Sequence, residues 1–220
     1  MRREKWNLYL DTLQGHPSVC QSTRTIADMK FIKELIPPNR FRRMLNIGAG
    51  EGLETQLLQY LGYDVIGMIR GETNLNYAYE NFPGIIFIDG DMHDLPFPSE
   101  SFDAIYTNHT FEHAYAPFIF LLELYCILKV GGRMWIAMPD FREITDNNIG
   151  DEGKIGHHHP SILCPNLFRQ LFNTTGFKIL SGNNNNNDNK SNSYLLEKQD
   201  LSYLHSDVRT AIKKRKEFFG

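Results

Sequence analysis

The chain has 220 residues, 41% apolar and 22% charged, with a net charge of −3. That size suits one α/β domain with a full core, and the negative balance disfavours nucleic acid as a partner. No apolar run approaches the ~20 residues of a membrane helix. Cys20, Cys126 and Cys164, odd in number and scattered, argue against a disulfide framework or a zinc ribbon. The first residues, Met1 to Asn7, lack the apolar core of a signal peptide. The expectation is a cytoplasmic, soluble, single-domain protein.

Residues 1–40 read as a helical lead-in, with Ile26, Met29, Ile32, Lys33 and Ile36 on one face and Pro37-Pro38 as the stop. Arg43 to Ile47 is a short apolar strand. Gly48-Ala49-Gly50-Glu51-Gly52 follows as a tight loop, and Leu53, Leu57, Leu58 and Leu61 recur at helical spacing up to Gly62. Strand, glycine loop and helix in that order make a cradle for a nucleotide-like ligand, because glycine lets backbone N–H groups approach it closely. The third glycine comes one residue too early for a dinucleotide fingerprint, and Leu53 fills the expected place. Glu51 and Glu54 would compete with a pyrophosphate for the helix dipole. A ligand with a cationic end and no phosphates suits the loop better, and a nicotinamide oxidoreductase fits it poorly.

Tyr63 to Met68 reads as a second strand, and Thr73 to Asn81 as a helix with Leu75 and Ala78 turned inward. Ile85 to Ile88 is a third strand, expected to be covered on both faces, and Phe102 to Tyr106 is a fourth. Pro117 to Leu128 is a helix apolar on nearly every side, with Glu123 its single charge. Such a helix is either buried in its own chain or forms a homodimer face. Lys129 to Gly132 reads as a turn, Arg133 to Met138 as a fifth strand, and Asp140 to Pro160 as a long loop. Pro165 to Thr174 is helical, with Leu167, Phe168, Leu171 and Phe172 on one side. Phe177 to Leu180 and Tyr194 to Leu196 form two last strands joined by the asparagine-rich stretch 183–192. A basic tail, 199–220, closes the chain with a helix whose Lys213-Lys214-Arg215-Lys216 run reads as a solvated face. The pattern predicts a Rossmann-like doubly wound α/β sheet over 41–198, mostly parallel, ending in an antiparallel hairpin.

Four segments occur in register: Leu45-Asn46-Ile47-Gly48-Ala49-Gly50-Glu51-Gly52; Gly90 to Phe97 followed by Ser101 to Ile105; Phe111-Glu112-His113; and Leu128 to Arg133. Together they resemble the class I S-adenosylmethionine-dependent methyltransferases, of the small-molecule type (methyltransferase type 11-like) related to ubiquinone-biosynthesis enzymes. The likeness runs from about Arg43 to Leu196, and Asn166 to Phe177 is similar to that family's last helix.

The resemblance implies S-adenosylmethionine as cofactor and a small-molecule methyl acceptor. It implies that Asn46, Gly48, Ala49, Gly50 and Gly52 lie around the methionine tail and ribose, and Met68 and Ile69 at the end of the second strand. Asp91, Met92 and His93 would surround the adenine, and Asn108 would lie with His109 beside the sulfonium. Two positions depart from the family pattern: Asn46 stands where most relatives have an acid, and Ile69 where most have the acid that grips the ribose. Asn74 stands where a branch resembling the cyclopropane fatty-acid synthases uses an amide for that purpose, and an amide gives a weaker, uncharged bond.

Methyl transfer asks for alignment and dryness, and for a base only when the acceptor carries a proton. His109 is the candidate base, with lining the pocket as the plainer alternative. His113 belongs to a segment that is more often structural. His157 and His159 share a face in an extended chain and could reach a metal with His109 or His113, but no carboxylate has ligand spacing beside them and no metal is expected. A nucleic-acid methyltransferase is disfavoured by Thr107-Asn108-His109-Thr110, where an Asn/Asp-Pro-Pro-aromatic segment would stand. A degenerate fold kept for binding alone is the non-enzymatic alternative.

Overall fold

A computed structural model of the chain describes residues 29, 31–139, 160–161, 163–183 and 191–219. Seven strands form one sheet: β1 (Arg43–Ile47), β2 (Asp64–Ile69), β3 (Ile86–Asp89), β4 (Phe102–Asn108), β5 (Leu128–Pro139), β6 (Phe177–Asn183) and β7 (Ser191–Lys198). Among the described residues it is flanked by the lead-in turn at 31–35 and by α1 (Leu53–Leu61), α2 (Glu72–Asn81), α3 (Pro117–Ile127), α4 (Pro165–Thr174) and α5 (Ser206–Phe219). The strand order is β3-β2-β1-β4-β5-β7-β6. Strands β1 to β5 run parallel, while β7 lies antiparallel to both β5 and β6. The doubly wound sheet with its closing hairpin is therefore present. The order reverses between β1 and β4, and open sheets bind ligands at the carboxyl ends of strands flanking such a reversal.

Two faces bury two sets of side chains. The lead-in (Met29, Ile32, Ile36) and α1 (Leu57, Leu58, Leu61) pack with Val65, Ala104, Tyr106 and Trp135 on one face, where Ala78 of α2 joins Ile69, Ile85 and Phe87. Helices α3, α4 and α5 cover the other, over Leu45, Ile105, Met134 and Ile136. Several sequence expectations change. Lys33 is exposed instead of sharing the buried lead-in face. Ile86 is 62% exposed, because β3 is the edge of the sheet. The expected turn at Lys129 to Gly132 is part of β5: Leu128 stands opposite Phe102 and Arg133 opposite Ala104, so the extra residues form a bulge with Gly131 at φ 73°. Leu167 is exposed, while Phe168 and Phe172 carry the packing of α4. Ile26, Cys20, residues 140–159 (with His157 to His159) and most of the asparagine-rich joint lie outside the described residues.

The apolar helix α3 is covered by its own chain. Phe120 to Ile127 are all buried, in the same cluster as Phe168 and Phe172 of α4 and Val208 and Ile212 of α5. Its one charge, Glu123, meets Arg215 of α5, which turns inward while Lys213 and Lys214 beside it are exposed. Arg215 Nε lies 2.5 Å from Glu123 Oε1 and Nη2 2.6 Å from Oε2, with both side chains 9% exposed. Glu123 Oε2 also accepts from the Leu95 N–H at 3.0 Å, and Nη2 donates to the Leu95 carbonyl at 3.3 Å. Burial opposes the guanidinium charge, yet the bonds and charge of Glu123 outweigh it and hold the arginine protonated. The chain's last helix is thus bolted to the loop after β3.

Removing one partner of a buried pair strands the other without compensation, at a cost of roughly 3–5 kcal/mol. Arg215→Met should lower unfolding stability by about that much in denaturant titrations. Adding Glu123→Gln to it should recover a large part of the loss, since the stranded charge is gone.

Candidate active site

The glycine loop is built on the ends of β2 and β4. The Gly48 and Ala49 N–H groups both donate to the Met68 carbonyl at 3.0 Å. Gly48 has φ 74°, and a Cβ there would lie 2.0 Å from Thr110 Oγ1. The Thr110 hydroxyl in turn donates toward the carbonyls of Asn108 (3.1 Å) and Ile47 (3.3 Å). Gly52 backs onto Phe82 and Phe87. Gly50 is different: at φ 54° it has no atom within 4 Å of where its Cβ would be, so it fronts open space.

Other expected residues sit behind this front. Asn46 is fully buried and donates from Nδ2 to Thr55 Oγ1 at 2.9 Å, while its Oδ1 has no partner among the described residues. Ala49 packs with Ile69, whose side chain belongs to the core cluster under α2. The Met68 sulfur lies against Gly90. Asn74 is exposed on the first turn of α2.

The loop after β3 is held by Asp91. Its Oδ1 accepts from the His93 N–H at 2.9 Å and lies 2.9 Å from His93 Nδ1, and its Oδ2 is 3.2 Å from Arg70 Nη1. The His93 backbone N–H, with help from the imidazole and Arg70, holds this carboxyl below the usual aspartate value. His93 Nε2 accepts from the Ala116 N–H at 3.3 Å. Both contacts are satisfied by a neutral ring carrying its proton on Nδ1, so His93 ties the loop to the start of α3. Met92 is partly buried against the core.

At the end of β4, Asn108 Nδ2 donates to Glu54 Oε1 at 2.7 Å, and the Tyr106 hydroxyl reaches the same oxygen at 3.1 Å. His109 follows in a left-handed conformation, φ 49°, with its side chain 42% exposed. Its N–H donates to the Ala137 carbonyl at 2.9 Å. His109 Nδ1 lies 3.5 Å from Oε1 of Glu112, a carboxylate only 2% exposed. His113 is partly buried in the same short 3₁₀ turn, Phe111–His113.

Sequence reading missed three pairings here: Arg70 with Asp91, Glu54 with Asn108, and Glu112 with His109. Of the three, only the Glu112–His109 pair is close in the chain, three residues apart. Among the described residues, no group of three or more His, Cys, Asp or Glu side chains could hold a metal ion.

Residues 45–136 match the family model described as "Methyltransferase domain". The chain is 25% identical over 138 residues to the "Probable S-adenosylmethionine-dependent methyltransferase" of Mycolicibacterium smegmatis, covering 63% of this chain and 52% of that one. It is 33% identical over 96 residues to the fatty-acid O-methyltransferase of the same organism, covering 41% and 35%. The chain thus spans about half, or less, of the length of the curated relatives it matches. Among solved structures, the PH0226 protein of Pyrococcus horikoshii superposes with a TM-score of 0.66 at 17% identity, covering 86% of this chain and 99% of that one. An S-adenosylmethionine-dependent methyltransferase of Mesorhizobium loti gives 0.65 at 15%, covering 77% and 96%.

The glycines should separate by substitution. Gly48→Ala combines a left-handed backbone with a collision against Thr110 and should cost several kcal/mol of stability. Gly50→Ala has only the backbone penalty, about 1–2 kcal/mol. Thermal unfolding of the two variants reads the difference. Asp91, with its lowered carboxyl pKa, stabilises the fold above the ordinary value of 3.8 and loses that contribution as pH falls through its folded value. Asp91→Asn should therefore flatten the stability–pH curve below pH 3.8, measured by denaturation across an acid series.

Proposed function

We propose that this chain, a member of the class I S-adenosylmethionine-dependent methyltransferases, transfers the cofactor's methyl group to O, N or C of a small-molecule acceptor and releases S-adenosylhomocysteine. The observation that carries the reading is the open front at Gly50, where a Cβ would stand in free space at the sheet's switch point. The residues present suit the group. The amides of Gly48 and Ala49 are already engaged by Met68, which leaves the loop around Gly50 as the face toward the methionine tail. Glu51 and Glu54, at the start of α1, give that end of the site a negative character suited to a cationic ligand.

Asp91, with its side chain 43% exposed, keeps lone-pair capacity for an adenine amine, and Met92 and His93 complete that side. Met68 and Ile69 serve through their backbone at the end of β2, and Asn74 supplies an amide for the ribose hydroxyls. When bound, the cofactor supplies an electrophilic methyl on a good leaving group. The protein's task is then to align the acceptor and exclude water. His109 takes a proton where the acceptor carries one.

No helix among the described residues is long and apolar enough to cross a membrane, and a cytoplasmic location agrees with the scattered thiols. The homodimer suggested by α3 loses its support, because that helix is covered within the chain. A binding protein with a degenerate site remains the second reading, favoured by Asn46 and Ile69 turned into the protein where relatives have acids.

Titration calorimetry with S-adenosylhomocysteine separates the two. The enzyme reading expects saturable binding that is abolished in Gly50→Arg, whose side chain fills the open front, with the variant still folding cooperatively. No heat at millimolar ligand would assign the chain to the second reading.

A further inference from the structure

We infer that Glu112 is a positioning residue that sets His109 as the proton acceptor of the reaction; this rests on the methyltransferase reading above. The argument starts from the cost of Glu112. Its carboxylate is 2% exposed, and burying an unpaired charge is expensive unless another group compensates it. The other buried glutamate among the described residues, Glu123, meets that demand with a bidentate arginine and a backbone N–H. Glu112 has neither. Among the described residues its ion-pair partner is His109, and its Oε2 has no hydrogen-bond partner. A glutamate kept only for architecture would be expected to cap backbone amides, as Glu123 does.

The histidine is held in an equally specific way. His109 is one of two described non-glycine residues with positive φ. Such backbones cost about 1–2 kcal/mol and gather at functional sites. Its N–H is pinned to Ala137, and Thr110 wedges the turn against Gly48. The Ser161 N–H donates to the Glu112 carbonyl at 3.0 Å, and the Ser161 hydroxyl to that of Ala114, so the turn is braced on both sides. The 3.5 Å separation from Nδ1 to Oε1 is long for a hydrogen bond, as catalytic contacts often are before substrate arrives.

To donate to Glu112, Nδ1 must carry the ring proton, which leaves Nε2 with its lone pair on a half-exposed ring. In the step this serves, the acceptor's heteroatom–hydrogen bond breaks and the proton passes to Nε2. The acceptor's electron pair forms the new bond to the methyl carbon, and the carbon–sulfur bond breaks with its pair staying on sulfur. The resulting imidazolium is stabilised by the Glu112 carboxylate. Such a pair suits an acceptor that keeps its proton until transfer and is superfluous for one that arrives as an anion.

The test is long-range ¹H–¹⁵N correlation on ¹⁵N-histidine-labelled protein saturated with S-adenosylhomocysteine, with His109 assigned by its loss in His109→Gln. Wild type should show the Nδ1–H tautomer. Glu112→Leu should shift the ring to the Nε2–H form, and Glu112→Gln, which keeps an accepting oxygen, should restore Nδ1–H. An Nε2–H ring in wild type overturns the inference whether or not Glu112→Leu folds, and so does an unchanged tautomer in a folded Glu112→Leu. Failure of wild type to bind S-adenosylhomocysteine would instead remove the methyltransferase reading on which the pair depends.

Discussion

Strands β1 and β4 end so close together that a threonine hydroxyl occupies the place where residue 48 would carry a side chain. That approach makes the loop after β1 and the turn after β4 a single packed unit. Because the Gly48 and Ala49 amides are spent on the Met68 carbonyl, the loop cannot swing away from β2 either. Close packing transmits such constraints without slack. The result is a firm floor that opens outward at Gly50 on one side and at the His109 ring on the other.

The loop after β3 is suspended differently, between two polar joints. At its start, Asp91 and His93 connect it to Arg70 and to the Ala116 N–H just before α3. At its end, the Leu95 backbone is gripped by Glu123 and Arg215. Both joints converge on α3, a helix otherwise buried in hydrocarbon. A buried pair held by two charge-assisted hydrogen bonds costs little net energy but tolerates few alternative arrangements. The loop that offers Asp91 is thereby placed by the far end of the chain, a dependence outside the matched segment 45–136.

Much of the fold was legible locally. The strand Arg43–Ile47, the helix ending at Gly62 and the helix Pro165–Thr174 lie where hydrophobic period, glycine and proline put them. Misreadings came where neighbours decide. The run Ile85 to Ile88 has the apolar content of a central strand, yet β3 has a partner on one side only, and Ile86 faces solvent. Gly131-Gly132 has the composition of a turn, but strand pairing on both sides of β5 carries it through as a bulge. In the site, the sequence put Asn108 beside the sulfonium but gave no sign that its amide is bonded to Glu54 across to α1.

By itself the sequence determined the order and type of the main elements, the hairpin at the end, and the glycine loop after the first strand. Those are short-range properties, set by side-chain period and by backbone conformations open to few residue types. Only the tertiary structure decided what each buried charge answers to. Glu123 and Arg215 are 92 residues apart in the chain, and no local pattern distinguishes an inward arginine from the lysines beside it. Glu112 and His109 are neighbours in sequence, but that the one is buried and the other half open depends on the packing of β5 and Ser161 around their turn.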